Sequence, residues 1–269
     1  MKRHHSLASW QEQRSQLNSH SLGFVPTMGA LHKGHESLIE RSVAENDVTV
    51  LSIYVNPTQF NNPRDLETYP KRIEADLERA MGLGVDHVLL PDYAMMYPDG
   101  FRYQVMESEF SKQLCGAHRE GHFTGVLTVV MKLLNLVQPH RAYFGEKDYQ
   151  QYCLIRDMAA AFFMDVDIVA CPIVREADGL AMSSRNLNLD APARQIATRL
   201  NQLMREIADD ETLVRALAGA GFLVDYVTSL DGRRYVAASL EVSDKSVRLI
   251  DNMPILSDGE TVCNKQEVK

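Results

Sequence analysis

Two histidines three residues apart, His32 and His35, sit in the stretch Pro26-Thr27-Met28-Gly29-Ala30-Leu31-His32-Lys33-Gly34-His35. Each imidazole can donate a hydrogen bond to a phosphoryl oxygen whose negative charge grows during phosphoryl or nucleotidyl transfer. Gly29 and Gly34 permit a tight turn and the close approach of a ligand to bare backbone. On its own the pattern also fits a glycine-rich turn with one capping and one packed histidine. Further along stand a compact cation in Gly145-Glu146-Lys147-Asp148 and a forked one in Met182-Ser183-Ser184-Arg185-Asn186. Both types suit phosphate charge. Each group taken singly has a plainer reading: Glu146 and Asp148 as caps of the next helix, Ser183-Ser184-Arg185-Asn186 as ordinary loop, Gln59 and Gln151 as solvated surface. His122 reads as a satisfied loop histidine, outside the site.

The elements that must hold these groups follow from apolar spacing. Leu22 to Val25 is a short buried strand, and Leu38, Ile39, Val43 and Ala44 recur at helical spacing, so the histidines open a helix after a strand. A helix start offers unpaired N–H groups and partial positive charge to phosphate. Val48 to Val55 is a second buried strand, ending in the loop Asn56-Pro57-Thr58-Gln59-Phe60-Asn61-Asn62-Pro63. A helix on Ile73, Leu77, Ala80 and Met81 and a strand over Val85 to Leu90 come next. Residues 91–124 are irregular and rich in Pro, Gly and Tyr, an excursion near the site. A buried helix over Gly125 to Val137, a strand over Arg141 to Phe144, a helix over Tyr149 to Phe163 and a strand over Val166 to Cys171 complete the pattern. This alternation predicts a Rossmann-like α/β domain with a parallel sheet, over residues 1–175. Ligands then belong at the carboxyl ends of its strands, where the histidine turn, the Asn-Pro loop and the Gly-Glu-Lys-Asp turn all fall. Residues 176–269 read as a smaller α+β domain of two helices and an antiparallel meander. Residues 6–19 read as a surface helix after a solvated start, and Ser257 to Lys269 as a frayed tail.

Composition bounds the partners. The 269 residues carry a net charge of −8, which argues against nucleic acid or an anionic membrane as partner. An anionic substrate must therefore meet a local cluster of Lys, Arg and His. The four cysteines show no Cys-x-x-Cys pair and read as free thiols of a reducing cytoplasm. Neither a secretory h-region nor a membrane-spanning apolar run is evident.

Five segments in order carry a specific resemblance: residues 26–35; Ile-Tyr-Val-Asn-Pro-Thr-Gln-Phe at 53–60; Gly-His-Phe-Thr-Gly-Val at 121–126; Phe-Gly-Glu-Lys-Asp-Tyr-Gln-Gln at 144–151; and Arg-Glu-Ala-Asp-Gly-Leu-Ala-Met-Ser-Ser-Arg-Asn at 175–186. From about residue 20 to Asn252 the chain resembles the pantoate–β-alanine ligases of the nucleotidyltransferase superfamily. The departures are a polar N-terminal segment and an untypical tail after Asp251-Asn252, neither touching a motif.

The resemblance implies an ATP-dependent condensation of pantoate with β-alanine through a pantoyl adenylate. It implies catalytic roles for His35, as proton donor, and for His32, Lys147 and Arg185. ATP would lie along Met28 to His35, Gly145 to Asp148, Val174, and Met182 to Arg185. Gln59 and Gln151 are the candidates for pantoate, Gln59 also for β-alanine, with Asn56 and Tyr69 in support. An amide supplies both donor and acceptor, and a neutral partner leaves the pantoate carboxylate nucleophilic where an Arg clamp would not. Mg²⁺ is implied by the triphosphate, held mainly by phosphate oxygens and water, with Asp76 the one protein ligand guessed at. A homodimer is implied as well. The rivals are another nucleotidyltransferase, which has no reason for both glutamines; a class I aminoacyl-tRNA synthetase, for which an acidic chain of this length leaves little room; and a non-catalytic nucleotide-binding module, against which the intact cations argue.

Overall fold

Residues 1–242 and 245–255 are described by a computed structural model of the chain. The expected frayed tail from Ser257 onward lies outside them. The chain divides into two compact units, Met1–Leu189 and Asp190–Lys269.

The first unit holds six strands: β1 Lys2–His4, β2 Leu22–Thr27, β3 Val48–Ile53, β4 His87–Leu89, β5 Arg141–Gly145 and β6 Asp167–Cys171. They form one sheet in the order β1-β4-β3-β2-β5-β6, and every neighbouring pair is parallel. Its helices are α1 Leu7–Ser15, α2 Lys33–Glu45, α3 Pro63–Glu67, α4 Ile73–Gly82, α5 Tyr93–Met96, α6 Cys115–His118, α7 His122–Val137 and α8 Tyr149–Ala161. Every residue of β3 is buried, as a strand covered on both faces must be. One core cluster joins Val25, Leu51 and Val88 of the sheet to Leu38 and Ile39 of α2 and Leu77 and Ala80 of α4. Gly23 sets the distance between β2 and α2, because a Cβ there would stand 2.2 Å from Ser42 Oγ. The order of strand connection reverses between β2 and β5, so the gap beyond their carboxyl ends is the switch point at which such sheets bind ligands.

The second unit has three helices, α9 Ala191–Ala197, α10 Arg199–Glu206 and α11 Asp210–Gly219, where the sequence suggested two. The meander is as expected: β7 Leu223–Leu230, β8 Arg233–Val242 and β9 Lys245–Pro254 pair antiparallel in that order. The division falls after Leu189, beyond the change of texture near residue 175. The turn-rich segment that suggested a boundary is tied into the first unit, through Arg185 to Asp65 and Ser184 to Tyr69.

The N-terminus also differs from expectation. Lys2–His4 is an edge strand registered on His87–Leu89, and His4 is buried. Helix α1 is no free surface helix either, because Trp10 is fully buried and donates its indole N–H to the Leu136 carbonyl at 2.7 Å. Arg14 donates to the Val137 carbonyl at 2.9 Å, so α1 satisfies the last carbonyls of α7. His4 Nε2 and His87 Nδ1 lie 3.1 Å apart, and His4 Nδ1 contacts Ser9 Oγ at 3.0 Å.

Burial lowers the pKa of His4, and burial together with His4 brings that of His87 down to about 4. The unfolded chain therefore binds more protons than the folded one between pH 6.5 and about 4. Stability should fall as the pH drops through that window. Urea titrations of His87→Asn should show a slope shallower than the parent's by up to about 1.4 kcal/mol per pH unit. An unchanged slope would mean that His87 is not held neutral by the fold.

Candidate active site

The site starts from the turn between β2 and α2. Gly29 has φ +81 and Ala30 φ 50, left-handed values at two consecutive residues. For alanine that conformation is strained, and it persists only where the surroundings impose it. The buried Asp76 of α4 imposes it here. Its two carboxylate oxygens accept the N–H groups of Ala30, at 2.8 Å, and Leu31, at 2.7 Å. This is a different task from the metal ligation guessed for Asp76. Among the described residues, no group of three or more His, Cys, Asp or Glu side chains is arranged to hold a metal ion.

The turn delivers His32 as N-cap of α2. Its Nδ1 accepts the Gly34 N–H at 3.1 Å, and His35 Nδ1 accepts the His32 N–H at 3.4 Å, a reciprocal cap. A neutral ring whose Nδ1 accepts carries its proton on Nε2, so both imidazoles are Nε2–H donors. Burial, then the Lys147 charge, brings His32 down to about 4. Burial, then His32, brings His35 to about 3. Their rings are 4.0 Å apart and both are neutral at pH 7. In the free chain they are hydrogen-bond donors, not the imidazolium acids that the expected proton-donor role of His35 suggests.

A cavity of about 230 Å³ opens at the carboxyl ends of β2, β3 and β5. Met28, His32, Gly34 and His35 form one side of it. Gly145, Lys147, Asp148 and Gln151 come from the start of α8 and the turn before it, and Val174, Met182, Ser183, Ser184 and Arg185 from the segment after β6. The Asn-Pro loop adds Asn56 and Gln59, and Tyr69 lines it as well. The expected residues that do not line the cavity are Gly29, Ala30, Leu31, Lys33, Glu146 and Asp76. Ala30 and Leu31 are buried in the turn, and Lys33 is exposed on the first turn of α2.

The polar walls are pre-arranged. Asn56 is buried and donates to Gln59 Oε1 at 3.1 Å, while its own oxygen accepts from Tyr97 OH at 2.8 Å and Thr58 Oγ1 at 3.0 Å. Gln59 Nε2 lies 3.2 Å from Met28 Sδ. Helix α7 approaches this loop so closely that a Cβ on Gly125 would lie 2.3 Å from the Thr58 carbonyl. Arg185 pairs with Asp65 at 2.9 Å, and Ser184 Oγ donates to Tyr69 OH at 3.3 Å. Desolvation pushes the Asp148 carboxyl up, but Lys147 and Arg185 outweigh it and hold the group below its ordinary value.

Sequence reasoning missed two polar residues of this wall, Arg119 and His122. His122 contacts the Gln59 carbonyl across 63 positions of chain. The one available signal was its place in Gly121-His122-Phe123-Thr124-Gly125-Val126. Also missed was the apolar face that α7 presents, Val126, Val129, Val130 and Leu133.

If Asp76 anchors the turn, Asp76→Ala leaves two N–H groups without acceptors. It should lower unfolding free energy by about 2–5 kcal/mol in urea titrations. A metal ligand would instead leave unfolding unchanged and weaken binding of MgATP.

Comparison with known proteins identifies the family. A family model described as pantoate-beta-alanine ligase matches residues 1–254. A pantothenate synthetase from Bdellovibrio bacteriovorus is 53% identical over 237 residues, covering 88% of this chain and 93% of its own. Another, from Legionella pneumophila strain Lens, is 49% identical over 249 residues, covering 92% and 97%. Among solved structures, the pantoate-beta-alanine ligase from Francisella tularensis complexed with beta-gamma ATP and beta-alanine superposes with a TM-score of 0.88 at 40% identity. That match covers 94% of this chain and 97% of the other.

Proposed function

Because this chain belongs to the pantoate–β-alanine ligase family, we propose that it condenses pantoate with β-alanine at the expense of ATP, through a pantoyl adenylate, releasing AMP and pyrophosphate. The observation that carries the reading is a single cavity lined both by the phosphate-type donors His32, His35, Lys147 and Arg185 and by the neutral amides Gln59 and Gln151. ATP lies along the histidine turn, the Gly145–Asp148 turn and the Val174 and Met182–Arg185 segment. Pantoate lies against Gln59 and Gln151, with its two methyl groups on the apolar face of α7. A pantoate carboxylate oxygen attacks the α-phosphorus, a new P–O bond forms, and pyrophosphate leaves. The Nε2–H groups of His32 and His35 and the cations of Lys147 and Arg185 donate to phosphoryl oxygens as their charge grows. The nitrogen of β-alanine then attacks the acyl carbon and AMP departs. That second step starts from an already activated acyl group, which mainly has to be shielded from water.

Mg²⁺ enters with ATP as substrate, carried by phosphate oxygens and water. A homodimer is proposed on the family resemblance. A cytoplasmic location is proposed from cysteines that show no Cys-x-x-Cys pair; among the described residues no helix is long and apolar enough to cross a membrane.

The test is exchange of labelled pyrophosphate into ATP. It should require pantoate and proceed without β-alanine, and exchange that needs β-alanine would overturn the stepwise route. His35→Ala should lower exchange by about 10² or more while weakening ATP binding far less. Equal losses in both would mark a structural histidine. Gln59→Ala and Gln151→Ala should each raise the KM for pantoate about 10- to 100-fold and leave that for ATP nearly unchanged. An effect on ATP alone would remove both from the pantoate site.

A further inference from the structure

Tyr97, in the irregular excursion after β4, lies outside the cavity wall, yet a chain of hydrogen bonds runs from its hydroxyl to Gln59, which lines that wall. The direction of each bond can be assigned. The Gly125 carbonyl can only accept, so the Asn56 atom 3.3 Å from it is the amide nitrogen. The Thr58 backbone N–H can only donate, and it faces the other end of the amide, Oδ1, at 3.4 Å. Oδ1 therefore takes the proton of Tyr97 OH at 2.8 Å and that of Thr58 Oγ1 at 3.0 Å. The second N–H of Asn56 goes to Gln59, 3.1 Å away, which must answer with its oxygen. The amide nitrogen of Gln59 is thereby turned to Met28 Sδ, a weak acceptor in the cavity wall, at 3.2 Å.

Tyr97 is the member of this chain that is fixed from outside. Thr58 rides on the same loop as Asn56 and cannot place it, whereas Tyr97 comes from 41 positions along the chain. Its ring is 2% exposed and packs against Tyr93 and Phe101, with centroids 5.0 and 5.2 Å away. Lys132 of α7 stands over that ring at 5.0 Å, donates to the Met96 carbonyl at 2.9 Å and pairs with Asp99 at 3.1 Å. Burial pushes the Tyr97 hydroxyl up to about 12, so the proton stays on it. The backbone of Gln59 is held separately: His122 Nδ1 donates to its carbonyl at 2.8 Å, and Arg119 Nη1 donates to His122 Nε2 at 2.9 Å. What remains to be set is the amide end, and that is what the hydroxyl reaches.

We infer that Tyr97 is a positioning residue for pantoate: through Asn56, its hydroxyl makes Gln59 present N–H donors to the substrate. The inference rests on the pantoate role proposed for Gln59 and extends the machinery to a residue outside the cavity. An unheld glutamine amide can turn over and offer its oxygen instead. Pantoate brings two hydroxyls and a carboxylate, and a carboxylate can only accept, so an amide oxygen turned toward it would repel. A Gln59 locked as donor meets that group without a charge that would blunt its attack, and is set before the substrate arrives.

The test is a double-mutant cycle on the full-length chain, read in pantoate-dependent pyrophosphate exchange. Tyr97→Phe removes the proton donor and keeps the buried ring. It should raise the KM for pantoate about 3- to 10-fold, with the KM for ATP and exchange at saturating pantoate changed by less than about twofold. In the Gln59→Ala background, where there is no amide to orient, the same substitution should shift the KM for pantoate by less than about twofold. A merely loosened fold would act alike in both backgrounds, and that result overturns the inference. So does an unchanged KM for pantoate in Tyr97→Phe alongside a raised one in Gln59→Ala, or a KM for ATP that rises as far as that for pantoate. An unchanged KM for pantoate in Gln59→Ala defeats the pantoate role of Gln59, and the inference with it.

Discussion

The Asp76 carboxylate, 45 and 46 positions along the chain from the residues it grips, accepts two adjacent N–H groups of the β2–α2 turn. The magnitudes favour this arrangement. A left-handed alanine costs roughly 1–3 kcal/mol, while each charge-assisted hydrogen bond returns about 1.5–3. With two such bonds the anchor outweighs the strain at Ala30, and Gly29 takes its own positive φ with little penalty. From that turn the remaining geometry follows. His32 becomes the cap of α2, His35 accepts its backbone N–H, and both rings are left with their protons on Nε2. Loosening the turn would change which atoms the imidazoles offer before it touched any ligand.

Electrostatics then assigns different states to groups that share one cavity. The chain carries a net −8, yet Arg119, Lys147 and Arg185 converge on one wall system. The removal of water, and then nearby cations, keep His32, His35 and His122 uncharged, while the Asp148 carboxylate is held below its ordinary value beside them. A neutral ring has one donor and one acceptor in defined places, whereas an imidazolium has two donors. Keeping the histidines neutral is therefore what makes the caps on α2 and the Arg119–His122–Gln59 chain geometrically possible.

How much of this was legible in the sequence depended on how far apart the interacting residues are. The parallel sheet could be read because a doubly covered strand such as Val48–Ile53 is rich in apolar and β-branched residues. The histidine turn, the Asn-Pro loop and the Gly-Glu-Lys-Asp turn were readable as strand ends, since each sits just past such a run, whereas Met182–Arg185 rested on the family resemblance. Strand β1 was not, because Lys2-Arg3-His4 has no apolar signature and is held by pairing with a strand more than eighty residues away. The burial of His4 depends on His87 in the same way. The boundary near residue 175 was misplaced because a turn-rich composition looks the same in a linker as in a loop folded back on its own unit. Only the Arg185–Asp65 and Ser184–Tyr69 contacts separate the two cases. Asp76 looked available to a metal for a similar reason: nothing near it in sequence reveals that both of its oxygens are engaged.

The same long-range logic explains why a surface-type residue such as Gln59 sits in a fixed pose. A glutamine side chain loses up to about 2 kcal/mol of rotamer freedom when it is held in place. In an ordinary loop a ligand would have to meet that cost on binding. Here the fold has already met it. Asn56 holds the amide oxygen, itself held by Tyr97 and Thr58, and the backbone carbonyl is fixed by His122. Gly125 lets α7 close against the loop from behind. A neutral amide fixed in this way can discriminate by the direction of its hydrogen bonds and adds no charge to whatever it holds. That combination, orientation without charge, is what a carboxylate that must remain nucleophilic requires. It is built from residues that lie on three separate stretches of the chain.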